Sequence, residues 1–185
     1  MANAPLPALP SYEQVYSVLD YDPKNGTFIW KHREDVHHEV NARYAGKLAG
    51  GVNGRGYTYI EIKGRAFRAH RLAWLLVYGS WPDRLIDHIN GNVADNRIQN
   101  LRLANSQQNG ANRRKKFSSK SGYKGVSASR WGGWVAQITI NGKNRHLGTF
   151  STPELAHEAY MAAAIGAYGD FASDGQAALV PQEAA

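Results

Sequence analysis

The chain has 185 residues, 43% of them hydrophobic, with 19 glycines, no cysteine and a formal net charge of +7. That length holds one ordinary domain or two small ones, and the lack of cysteine excludes a disulfide frame and any thiolate metal site. No apolar run is long enough to cross a bilayer, and the opening MANAPLPALPSY lacks the basic and apolar regions of a secretion signal, so a cytoplasmic protein with no membrane partner is expected.

In chain order, a short amphipathic helix is predicted around Tyr12–Leu19. The turn Asp22-Pro23-Lys24-Asn25-Gly26 follows, then a strand Thr27–Lys31, the Asn-Gly step supplying the positive φ of a tight hairpin. His37-His38 lies in a polar stretch between Lys31 and Tyr44 that reads as a loop; plain solvation and a second metal site are its two readings. Gly54-Arg55-Gly56 leads into TYIEIKG, where Tyr57, Tyr59 and Glu61 alternate with Thr58, Ile60 and Ile62. A second turn at Lys63-Gly64-Arg65 leads to a strand Ala66–Ala69 and a mostly apolar helix, His70–Tyr78. Gly79 ends that helix, with Pro82 just beyond. His70, at its start, is assigned to scaffold packing.

LIDHINGNVADNRIQNLRLANSQQN spans Leu85–Asn109 and reads as strand, loop, strand, helix. Leu85–Ile89 is expected to pair with Arg97–Leu103 across a turn at Asn90-Gly91-Asn92, and Ser106 to cap a helix Gln107–Lys116. Asn90, Asn92 and Asn96 are turn formers. A unit this small cannot make a core alone. Asp87, His88 and Asn109 would converge where the first strand meets the first turn of the helix. Neighbours on a strand face opposite sides, so Asp87 and His88 share a site only where that strand ends or bulges. The three side chains suit phosphodiester hydrolysis. Neutral imidazole takes a proton near pH 7, and the Asp and Asn oxygens are hard ligands for magnesium or manganese.

Charge points to the partner. From Arg97 through Pro153 there are eleven Lys or Arg and no Asp or Glu, the footprint expected for polyphosphate binding. Arg113, Arg114, Lys115 and Lys116 form its densest run, followed by a small polar linker, residues 117–120. Residues 121–172 read as three strands and a helix. In GGWVAQITING, Trp134, Ala136, Ile138 and Ile140 share one face, and Val135, Gln137 and Thr139 the other. Asn141-Gly142 makes a hairpin turn to a strand Asn144–Phe150. Thr152 caps a helix opened by Pro153 and Glu154. Leu155, Ala156, Ala159, Tyr160, Ala163 and Ala167 form its core stripe, Trp134 is read as core, and core and surface readings of Trp131 stay open. The tail from Ser173 carries no usable pattern and is expected to be disordered.

The opening AHRLAWLLVYG, the string IDHINGN…DNRIQNLR and the closing SQQN…N together resemble the HNH nucleases, specifically the phage and intron-encoded homing endonucleases. That resemblance implies a ββα-metal fold in which His88 activates water, Asp87 and Asn109 hold one divalent ion, and Asn100 hydrogen-bonds across the loop to fix the His88 backbone. An asparagine at the final position points to magnesium-type ions rather than zinc. YKGV at 123–126, WGGWVAQI at 131–138, LGTF at 147–150 and the closing AYGDFA resemble the Apetala/ethylene-response-factor DNA-binding domain. Its sheet positions fall here on Lys124, Ser127, Ser129, Trp131, Gln137, Thr139, Asn144 and His146. Only Lys124 and Trp131 keep the family's chemical character, so Arg130, Lys143 and Arg145 are expected to add contacts, mostly to phosphate.

The expectation is an α+β chain: an HNH domain over 11–116 (β-rich scaffold 11–82, ββα unit 83–116), the linker 117–120, an Apetala-type domain over 121–172 and the tail 173–185. Its expected function is metal-dependent cutting of double-stranded DNA by a monomeric homing-type or phage-encoded enzyme in a bacterial or phage-infected cell. A DNA-binding regulator with a decayed nuclease unit and an RNA-binding protein are the alternatives.

Overall fold

The computed structural model describes residues 8–113 and 120–175. The chain divides into two compact units, Met1–Asp83 with Val93–Leu101, and Arg84–Asn92 with Arg102–Ala185. The segment expected to form the ββα unit therefore contributes to both.

In the first unit, α1 (Tyr12–Tyr16) starts at a capping box, Ser11 accepting from the Gln14 amide while the Gln14 side chain accepts from Ser11. The helix stops short of the expected Leu19, because Leu19–Asp22 is instead strand β1, paired antiparallel with β2 (Thr27–Trp30). Asp22 shapes the turn between them: its carboxylate accepts from the Lys24 and Asn25 amides and from the Asn25 side chain, which holds its pKa below the usual range. Where a polar loop was expected, His38–Tyr44 forms helix α2, none of whose residues is buried. A sheet follows, β3 (Gly51–Val52), β4 (Thr58–Ile62) and β5 (Arg65–Arg68), in the order β3-β4-β5. Ile60 and Ile62 face the core, as the alternation requires. The β4–β5 turn is left-handed at both Lys63 (φ 50°) and Gly64 (φ 73°), the geometry that matches strand twist. Helix α3 (Ala69–Tyr78) buries His70, Leu72, Ala73 and Leu75 and ends at Gly79 in the left-handed region.

Residues 93–101 belong to this first unit and dock on the β1–β2 hairpin. The Tyr21 hydroxyl donates to the Asn96 carbonyl at 2.7 Å, and the Ile98 amide donates to the Pro23 carbonyl at 3.1 Å. Gly26 makes room for this: a Cβ there would sit 2.4 Å from the Arg97 nitrogen.

The second unit begins with β6 (Leu85–His88), which forms a two-stranded sheet with β7 (Leu101–Ala104) ahead of helix α4 (Ser106–Asn112). β7 starts four residues later than expected, because residues 98–100 form a 3-10 turn in the docked loop. The cap of α4 is Asn105, not Ser106: Asn105 accepts from the Gln107 and Gln108 amides, and the Gln108 side chain accepts in return. The helix ends at Asn112 rather than continuing to Lys116.

Strands β8 (Val126–Ala128), β9 (Trp134–Ile140) and β10 (Lys143–Phe150) form an antiparallel sheet ordered β10-β9-β8, covered on one face by helix α5 (Pro153–Tyr168). Thr152 caps α5 by accepting from the Leu155 amide. Ala136 and Ile138 meet Ala156, Tyr160 and Ala164, with Trp134, Ala159 and Ala163 packed around them. Leu155 and Ala167, expected in that stripe, are exposed, and Ala164 takes the buried place. Gly125 lets the first strand cross α5, since a Cβ there would lie 2.0 Å from the Tyr160 ring. The expected run Arg114, Lys115 and Lys116, linker residues 117–119 and the tail beyond residue 175 lie outside the described residues.

Candidate functional site

Asp87 and His88 are the last two residues of β6, and each is only 4% exposed. The strand ends at His88, the place where neighbouring side chains can leave the strict alternation of a strand. The Gly91 amide donates to the His88 carbonyl at 2.8 Å, closing the turn that follows, and Gly91 adopts φ 66°.

Two side chains engage Asp87. From β7, the Arg102 Nε donates to Oδ2 at 2.9 Å, in an ion pair whose Asp87 side chain is 5% exposed. From α4, the Asn112 amide donates to Oδ1 and Oδ2, 3.0 Å to each. The same Asn112 amide reaches the His88 carbonyl at 2.7 Å and the Ile89 carbonyl at 3.3 Å. α4 is thereby locked against the end of β6 by one side chain. Asn109 lies three residues before Asn112, so both fall on one helix face and Asn109 stands one turn nearer the helix start. Asn109 is half-buried.

This arrangement bears on whether a cation fits. A carboxylate offers about four lone-pair positions. Arg102 and Asn112 both engage Oδ2, whereas among the described residues Oδ1 accepts from Asn112 alone. Oδ1 retains acceptor capacity, and carboxylate and amide oxygens of the kind Asp87 and Asn109 carry are hard ligands suited to magnesium or manganese. Asn100 belongs to the first unit, where its side-chain amide donates to the Asp95 carbonyl at 2.8 Å. Arg97 clamps the same loop through two bonds to the Asp95 carboxylate, 2.9 and 2.7 Å. Asn112 and Arg102 were not singled out from the sequence. The spacing of Asn112 from Asn109 was the available signal for the first; nothing in the sequence pairs Arg102 with Asp87.

Residues 67–111 match the HNH endonuclease family. The chain is also 36% identical over 84 residues to protein 3.8 of Escherichia phage T7, covering 44% of this chain and 69% of that protein. The chain thus carries an HNH endonuclease segment. It is 34% identical over 106 residues to an uncharacterized HNH endonuclease of Acanthamoeba polyphaga mimivirus, covering 56% of this chain and 54% of the relative, so it spans about half that relative's length. No solved structure matches significantly. HNH nucleases are generally dependent on a divalent metal, and here the matched segment contains Asp87, His88, Asn100 and Asn109.

The remaining candidates lie on the C-terminal sheet. Register sorts them: Asn144 pairs with Thr139 and His146 with Gln137, on the face away from α5. Lys143 pairs with Ile140 and Arg145 with buried Ile138, so both basic residues belong to the helix-side face and emerge at the edge of β10. All six are exposed. Trp131 is 83% exposed with the Arg130 guanidinium 4.9 Å from its ring centre, while Trp134 packs on the core. Lys124 turns inward: its amine donates to the Ala111 carbonyl on α4 and to the Ser173 carbonyl. Burial pushes its pKa down to about 8.

Elsewhere, ligand atoms of His37, His38 and Glu39 lie within 4.8 Å of one another, all exposed. Among the described residues no helix is long and apolar enough to cross a membrane.

Proposed function

We propose that the chain is an endonuclease that hydrolyses phosphodiester bonds in duplex DNA, using one divalent ion held by Asp87 and Asn109 and His88 as general base. One observation supports this most: within the HNH-matching segment, a buried carboxylate at a strand end is held by Asn112 at both oxygens and by Arg102 at Oδ2, so that Oδ1 keeps acceptor capacity. Asp87 and Asn109 would hold the divalent ion, which would supply polarisation of the phosphate and charge neutralisation at the leaving 3′ oxygen. His88, as neutral imidazole, takes the proton of the attacking water. Asn112 holds the His88 carbonyl and so limits movement of that imidazole's backbone. Asn100 steadies the intervening loop through Asp95. Magnesium suits this oxygen donor set, with manganese as its nearest substitute.

The sheet β8–β10 with α5 serves, in this reading, as an Apetala-type module that docks on duplex DNA. Gln137, Thr139, Asn144 and His146 present polar groups to a groove. Arg130 and Trp131 form an exposed stacked pair, and Lys143, Arg145 and the run from Arg113 to Lys116 neutralise phosphates, which position the protein without reading sequence. The relative in phage T7 supports a phage-type or homing role, and a monomer is sufficient for it.

Supercoiled plasmid incubated with magnesium tests the reading. Wild-type protein is expected to convert it to open-circular or linear form, and intact plasmid across magnesium and manganese would leave a DNA-binding regulator as the better account.

A further inference from the structure

We propose that Arg102 is a positioning residue for the reaction, and that the end of the C-terminal module holds it in place. The proposal rests on the reading of Asp87 as a cation ligand. Arg102 has three engagements. Its Nε donates to Asp87 Oδ2 at 2.9 Å, its Nη1 donates to the Asp170 carbonyl at 2.9 Å, and its guanidinium lies 3.8 Å from the centre of the Phe171 ring. Asp170 and Phe171 belong to the 3-10 turn Gly169–Phe171 that closes α5. A few residues on, the Ser173 carbonyl accepts from Lys124, whose amine also reaches the Ala111 carbonyl on α4. The strand and the helix that carry the candidate site are thus each tied to the segment 170–173.

The physical consequence follows from the nature of arginine. Its stem has many rotamers, while its planar fork loses little freedom per bond once oriented. Phe171 covers one face of that fork and the Asp170 carbonyl fixes its rotation, so the Nε–H points at Oδ2 before any cation arrives. Oδ2, already bonded to Asn112, is thereby also held by arginine, and Oδ1 is the oxygen with more capacity left for the cation. Loss of the ring would let Arg102 swing, free Oδ2 to compete, and raise the cost of orienting the carboxylate. The module proposed to dock on DNA would then also set the geometry of the cutting site through a single side chain.

The test uses the full chain with Arg102→Lys, Phe171→Ala, Phe171→Leu and Phe171→Tyr. Three quantities are measured: manganese affinity by electron paramagnetic resonance in the absence of DNA, plasmid cutting against metal concentration, and duplex affinity without divalent ions. Wild type is expected to bind and cut. Arg102→Lys and Phe171→Ala are expected to weaken manganese binding about 10-fold, the usual effect of removing a partner that orients a metal ligand. Their metal requirement for cutting rises in parallel, and duplex affinity stays within about two-fold. Phe171→Leu keeps apolar bulk without the ring face and is expected to fall with Phe171→Ala, whereas Phe171→Tyr restores wild-type behaviour. Should Phe171→Ala fail to fold, Phe171→Leu carries the comparison. Variants that keep the wild-type manganese affinity beside an active wild type overturn this proposal alone. A wild type that does not cut removes the nuclease reading and this proposal with it.

Discussion

The Asn112 side-chain amide sits 3.0 Å from each carboxylate oxygen of Asp87 and 2.7 Å from the His88 carbonyl. One buried amide thus joins helix α4 to both residues at the end of β6. Removing it leaves the carboxylate with Arg102 as its remaining side-chain partner among the described residues. Asn112→Ala is expected to destabilise the fold by about 1–3 kcal/mol, the cost of an unmet buried acceptor. Asn112→Asp should cost more, because it sets a second carboxylate against the first. Urea unfolding of the two variants checks both the size and the order.

Gly125 offers a cleaner structural test. Its φ is 75° and an added Cβ would lie 2.0 Å from the Tyr160 ring, which is itself buried in the core under the sheet. Gly125→Ala is expected to cost about 3 kcal/mol through overpacking and strain together. Loss of C-terminal amide protection in hydrogen exchange, with residues 12–78 unchanged, is the expected pattern.

Lys124 introduces a pH dependence whose sign is fixed. Burial lowers its pKa from 10.5 to about 8. Below that value the folded and unfolded chains both hold the proton, and the full burial cost is present. Between about 8 and 10.5 the folded chain has released the proton while the unfolded chain still holds it, so this group makes stability rise with pH. Lys124→Met removes that contribution. The difference between wild-type and variant urea midpoints should therefore shift in favour of wild type from about pH 7 to about pH 9.5, and a constant difference would contradict the inward placement of the amine.

Exposed Arg130 and Trp131 touch little of the protein beyond each other. Trp131→Ala and Arg130→Ala are expected to leave thermal stability within about 0.5 kcal/mol while weakening duplex binding roughly 10-fold each, the scale of losing a 1–3 kcal/mol contact. Fluorescence anisotropy with a short duplex reads this directly, and unchanged affinity would move the docking surface elsewhere.

Elements governed by local chemistry were legible in the sequence. The turns at Asp22–Gly26, Lys63-Gly64 and Asn141-Gly142, the alternation in 58–62 and 134–140, and the Thr152 cap all rest on short-range rules, and each appears as expected. Helix α2 was not legible because it buries nothing and so leaves no apolar stripe. The late start of β7 was hidden for another reason: residues 93–101 pack on a hairpin some seventy positions earlier, and that docking overrides the strand pattern. At the candidate site, type and spacing single out Asp87 and His88, which lie buried at the end of β6. Their orienting partners are not singled out, because Arg102 and Asn112 acquire meaning only once β7 and α4 meet β6.

Asn109 separates ligand from scaffold. It lies on the Asn112 face of α4 but has no side-chain bond to Asp87 among those described. Asn109→Ala is expected to shift the magnesium requirement for cutting upward by about 10-fold with little change in folding, as read from rate against metal concentration. Equal loss of stability and cutting would instead make it a structural residue.

The most direct test of the account is the rate of supercoiled-plasmid cutting in magnesium by wild type and by His88→Ala, with duplex binding measured on the same preparations. The account predicts a loss of at least about 100-fold in the variant, the scale of a missing general base, with duplex affinity retained. A variant that cuts as fast as wild type would contradict it.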